Sequence, residues 1–211
     1  MLKKISTILL ILTWVDVLIL SAFGLLSPVF AIFVTGQIKG GTATVVGFAT
    51  AIYFIAKSIF QIPVGRYIDK HSGERDDFWV LLAGYTVLTA VPFLYLFARS
   101  PLHVYSLQFL LGLADALSVP AYLALFSRHL DKEHEGTEWS IRSVFTGGAA
   151  AVAGAVGGIV VDTFGFSTLF LAAGILSALS TLSIFLIRPF IYEERAKAIP
   201  PGITHIGSGE V

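Results

Sequence analysis

Three ionisable side chains, Asp16, Lys57 and Asp115, stand inside long apolar stretches of the sequence. A charge at the centre of a bilayer costs about 2.5–3.5 kcal/mol on insertion scales, so none of them is expected to face lipid. Two carboxylates and an ammonium at that depth can bind a cation or a proton, or a charged group of a solute. They can also form a structural ion pair, or reach back to water along their own stems. Helical spacing places them on stripes of matching chemistry. Gln108, Gly112, Asp115, Val119 and Tyr122 recur at three- and four-residue steps, as do Tyr53, Lys57 and Gln61. Thr13, Asp16 and Gly24 fall on roughly one side of an earlier segment. Trp14, Tyr53 and Tyr122 are aromatic candidates for a cavity wall, although aromatics this frequent also serve packing.

Other chemistries lack their residues. The chain has no cysteine, which removes disulfides, thiolate metal sites and thiol nucleophiles. There is no HExxH and no GxSxG, and the histidines (His71, His103, His129, His134 and His205) lie outside the apolar segments or at their edges. No enzyme activity, cofactor or metal is expected. The formal net charge of zero gives no reason to expect nucleic acid.

The elements that must carry these residues follow from composition. Of 211 residues, 55% are hydrophobic and only 13% charged, about half the charge of a soluble domain, and the mean hydropathy is +0.82. Six apolar segments, 6–34, 43–64, 78–98, 102–126, 141–161 and 166–187, each come near the roughly 20 residues that cross a bilayer. The first is too long for a signal-peptide core and has no small-residue cleavage site. The expected fold is an all-α membrane protein with six transmembrane helices over 1–190. A disordered cytoplasmic tail over 191–211, containing Pro200-Pro201-Gly202, would follow.

Lys/Arg bias orients the chain. With the N-terminus inside, Lys3, Lys4, Arg66, Lys70, Arg75, Arg128, Lys132, Arg142, Arg188, Arg195 and Lys197 fall on the inner side, against Lys39 and Arg99 outside. Both termini are therefore expected in the cytoplasm, with the bundle in the cell membrane. Longer charged inner loops and short outer turns also allow a 3+3 inverted repeat. On the fifth segment, Gly147 with Ala151 and Gly154 with Gly158 set small residues four apart, with Gly157 beside them, for close helix packing.

Between the second and third segments stands Gly65-Arg66-Tyr67-Ile68-Asp69-Lys70-His71-Ser72-Gly73-Glu74-Arg75. It resembles the signature loop of the major facilitator superfamily, in the right place and on the inner side. It is one residue longer between Lys70 and Gly73, and Asp76 replaces a second terminal base. Segments 107–121 and 154–170 resemble that family's fourth helix and its fifth-to-sixth helix turn, so the likeness covers 5–187. Two positions depart from it. Gln108 stands where an arginine associated with proton coupling is common, and 153–158 lacks the proline of the antiporter motif.

The resemblance implies one six-helix half of a secondary transporter of a small organic solute. That half would work by alternating access as a homodimer or with a second half. It further implies that helices 1 and 4 line the cavity, with Asp16 and Asp115 binding the solute, proton or cation and Lys57 balancing both. Gln108 and Tyr122 would complete that pathway. Gly65, Arg66, Asp69, Lys70, Gly73 and Arg75 would latch the inner side. The alternative is a non-transporting membrane scaffold or an inactive remnant of a split transporter.

Overall fold

The structure is a computed structural model that describes residues 6–70 and 73–191. The tail reading beyond Ile191, like Lys3, Lys4, His71 and Ser72, lies outside the described residues. Those residues form helices and turns only. Helix α1 spans Thr7–Leu26, a 3₁₀ turn Ser27–Val29, α2 Phe30–Gln37, α3 Ala43–Lys70, α4 Glu74–Tyr95, α5 Pro101–Arg128 and α6 Glu135–Ser183, followed by a 3₁₀ turn Ile184–Ile187. Among the described residues, five stretches are long and apolar enough to cross a membrane: Thr7–Gln37, Ala43–Lys70, Glu74–Tyr95, Pro101–Arg128 and Glu135–Ile191.

The first expected segment is interrupted. Pro28 lies in the 3₁₀ turn between α1 and α2, where its missing N–H and bulky ring disfavour the regular α-helical hydrogen-bond pattern. The last stretch holds 57 residues, about 85 Å if straight and far more than one bilayer. It is not straight. Gly165 has φ 81° and ψ 173°, a backbone state open to glycine because it lacks a Cβ.

Contacts along α1 and α2 show what that break does. Arg142 meets Asp16, Gly157 lies against the Leu25 backbone, and the rings of Phe166 and Phe170 lie 5.3 and 4.8 Å from Phe33. Beyond them, the Ser180 hydroxyl donates to the Val15 carbonyl at 2.6 Å. The chain thus ascends α1 before Gly165 and descends it afterwards. On the descent, Thr181 also bonds the Thr89 hydroxyl and the Tyr85 carbonyl of α4, at 2.7 and 3.1 Å.

Small residues set the closest helix approaches. A Cβ on Gly84 would stand 2.8 Å from Ser118, between α4 and α5, and one on Gly174 would strike the Phe93 ring. Of the four glycines expected at helix contacts, Gly154 and Gly157 pack against the α1–Pro28 region. Gly147 and Gly158 instead meet nothing within 4 Å. The outward face of α6 carries the exposed Phe145, Val152, Val156 and Ile159. Helix α3 is similarly open, with Phe54, Ile55, Ile59 and Ile62 all exposed.

Candidate functional site

Helices α3 and α5 come together at a glycine. A Cβ on Gly112 would collide with the Tyr53 carbonyl oxygen and stand 3.1 Å from the Lys57 backbone nitrogen. One turn along α5, Asp115 therefore reaches both side chains. Lys57 Nζ lies 3.0 Å from Asp115 Oδ2 and 3.3 Å from the Tyr53 hydroxyl. That hydroxyl donates to the same carboxylate oxygen. The pair is partly accessible, with 25% of the Lys57 side chain and 22% of the Asp115 side chain exposed.

Asp16 has a different partner. Lys57 was expected to balance both aspartates, but Arg142 of α6 takes Asp16, with Nη2 2.5 Å from Oδ2. Arg142 Nε donates to the Tyr122 hydroxyl at 3.1 Å, and that hydroxyl donates to the Leu12 carbonyl at 3.4 Å. The guanidinium also lies 5.0 Å from the Tyr122 ring centre and 5.4 Å from that of Trp139, within cation–π range. Asp16 is 5% exposed, so this is the more closed of the two pairs. The Lys/Arg count places Arg142 among the inner-side bases. Its signal was present in the sequence as a base at the edge of an apolar segment, flanked by Trp139 and Phe145.

Asp16, Lys57, Gln108, Asp115 and Tyr122 all line one cavity of about 710 Å³, together with Arg142. That volume suits a small organic ligand. Phe30, Phe33, Tyr95, Phe166 and Phe170 line the same space, with the Tyr95 and Phe170 rings stacked at 5.3 Å. No cluster of His, Cys, Asp or Glu placed to hold a metal occurs among the described residues.

The expected latch residues lie at the end of the bundle. Arg66, Asp69 and Lys70 are exposed in the last turns of α3, Gly65 is half-buried there, Gly73 precedes α4, and Arg75 is exposed in its first turn. An ion pair with a buried carboxylate lies just beyond the motif. Asp77, with no exposed surface, pairs with Arg128 at the end of α5. Glu74 Oε1 lies 3.6 Å from His129 Nε2. Acidic groups in the first turn of α4 and a base in the last turn of α5 also suit both helix dipoles.

The family profile described as Major Facilitator Superfamily matches residues 12–206. The chain belongs to the major facilitator superfamily. Among its relatives is a Bacillus subtilis (strain 168) protein described as the uncharacterized transporter YybO. It is 27% identical over 158 residues, which cover 75% of this chain and 35% of that protein. A quinolone resistance transporter of Acinetobacter baumannii is 28% identical over 149 residues, covering 68% of this chain and 33% of its own length. The fold matches the crystal structure of the POT family transporter PepTSo with a TM-score of 0.71 at 15% identity. That match covers 97% of this chain and 44% of PepTSo. This superfamily chain thus spans about a third of the length of the curated relatives it matches. Membership makes it a multi-pass membrane protein of a transporter family rather than an enzyme.

Proposed function

We propose that this chain forms one six-helix half of a secondary transporter for a small organic solute. The solute would cross by alternating access between this bundle and a second one. The observation that carries the reading is the single cavity shared by Asp16, Lys57, Gln108, Asp115, Tyr122 and Arg142. Charged groups inside a bundle, converging on a space of ligand size, are the usual mark of a solute or ion path. The quinolone-resistance name of one relative favours an organic solute over an inorganic ion.

The reversal at Gly165 supports a sixth crossing, with 135–164 running out and 166–191 running back. The six crossings then divide as three and three, consistent with an inverted repeat. Both termini lie in the cytoplasm and the bundle in the cell membrane, as the Lys/Arg bias favours. The second bundle is another copy of this chain or a separate six-helix unit, seated against the open faces of α3 and 135–164. The exposed Arg66, Asp69 and Lys70 then face it and exchange partners as the bundles rock.

Counting photobleaching steps of the labelled chain in nanodiscs tests the two-bundle reading. Two steps, or a co-purifying six-helix unit, supports it. A strict monomer without a partner shifts the reading to a non-transporting scaffold.

A further inference from the structure

The cavity wall carries four ionisable groups besides tyrosines: Asp16, Lys57, Asp115 and Arg142. They are two carboxylates and two cations, each carboxylate already within 3.0 Å of its own cation. The wall is therefore electrically balanced before any solute arrives. A solute with a net charge would add an unpaired charge at membrane depth, which is costly. A neutral solute with no charges would have to leave both pairs as they are. A solute carrying one charge of each sign can instead exchange partners with a wall pair and leave every charge matched.

The two pairs are not equally open to exchange. Arg142 is held by Asp16, by the Tyr122 hydroxyl and by surrounding rings. Asp16 itself is buried. Lys57 and Asp115 are each about a quarter exposed. Lys57 sits on a flexible stem, and its ammonium has three donors. Tyr53 offers a hydroxyl beside both charges. Phe30, Phe33, Phe166, Phe170 and Tyr95 supply an aromatic wall for an apolar body in the same cavity.

We propose that this cavity takes an aromatic zwitterion, its carboxylate bound by Lys57 and the Tyr53 hydroxyl and its ammonium by Asp115. The proposal rests on the cavity being the solute site described above, and it names the class of solute. Asp16–Arg142 stays closed and holds the wall in place.

Three probes with one ring system separate the charge states: tryptophan (zwitterion), tryptamine (cation) and indole-3-propionate (anion). Calorimetric titration of each into the full chain in nanodiscs at neutral pH is expected to rank tryptophan first. The margin over either ion should be about tenfold or more, the worth of one lost charge-assisted contact. Lys57→Gln is expected to move first place to tryptamine, and Asp115→Asn to indole-3-propionate. If either single variant does not fold, Lys57→Gln/Asp115→Asn keeps the wall neutral and is expected to bind all three probes weakly and alike. Equal binding of the three by the unaltered chain, a tighter ion, or no binding of any overturns the proposal. The ranking is read without flux. If it holds while proteoliposomes containing the chain together with its second bundle carry no tryptophan, the transport reading fails and the zwitterion site stands.

Discussion

Arg142 Nη2 stands 2.5 Å from Asp16 Oδ2, tying the start of α6 to the middle of α1 inside the apolar layer. Removing one partner of such a pair leaves a buried charge uncompensated, at a cost of about 3–5 kcal/mol. Arg142→Ala is accordingly expected to lower thermal stability sharply, and Asp16→Asn/Arg142→Gln to recover most of the loss. Size-exclusion melting curves in detergent would measure both. Equal stability of Arg142→Ala and the unaltered chain would contradict the assignment.

Gly112 lets α5 approach the turn of α3 that carries Tyr53 and Lys57. Gly112→Ala changes no charge, yet it must push that turn away from Asp115. Overpacking of this kind costs about 1–3 kcal/mol, and solute binding is expected to weaken with it. Gly47→Ala, where nothing lies within 4 Å, is the comparison and is expected to bind normally. Calorimetry on the two variants checks the contrast.

At the charged end of the bundle, Asp77 has no exposed surface and Arg128 is its cation. Arg128→Ala should lower the thermal midpoint much more than Arg66→Ala or Lys70→Ala, which alter exposed side chains worth within about 0.5 kcal/mol. A loss of similar size in all three would show that the region acts only through its overall charge.

Gly157 and Gly158 are neighbours in sequence with opposite surroundings. Gly157→Leu drives a side chain into the Leu25 backbone and is expected to prevent folding of the bundle. Gly158→Leu meets open space within this chain. It should fold normally and, if a second bundle packs there, lose association. Melting curves together with photobleaching counts separate the two effects.

Much of the cavity lining was legible because helical spacing is strict. Asp16, Lys57, Gln108, Asp115 and Tyr122, chosen for polarity at three- and four-residue steps, all reach one cavity. Arg142 was missed because a base near a span end satisfies the topology count equally well from a loop or from the interior, and its long stem permits either. Asp77 was missed for a similar reason. A carboxylate at the start of a helix reads as solvated unless a partner on a distant segment is known, and Arg128 lies 51 positions away. The spacing of Gly147, Gly154, Gly157 and Gly158 identified a small-residue helix but not its orientation. Successive residues turn by about 100°, so one step separates a packed face from an open one. Hydropathy also placed the first segment without revealing its break at Pro28, since a three-residue turn barely changes an average taken over a whole span.

The most direct test of alternating access uses the absence of cysteine from the chain. Val119→Cys places a single thiol on the cavity wall without altering any member of the two ion pairs. A membrane-impermeant maleimide is then applied to either side of oriented proteoliposomes. Labelling from both sides, with solute changing the ratio of the two rates, is the predicted result. Labelling from one side only, unaltered by solute, would contradict a cavity that opens alternately to each face of the membrane.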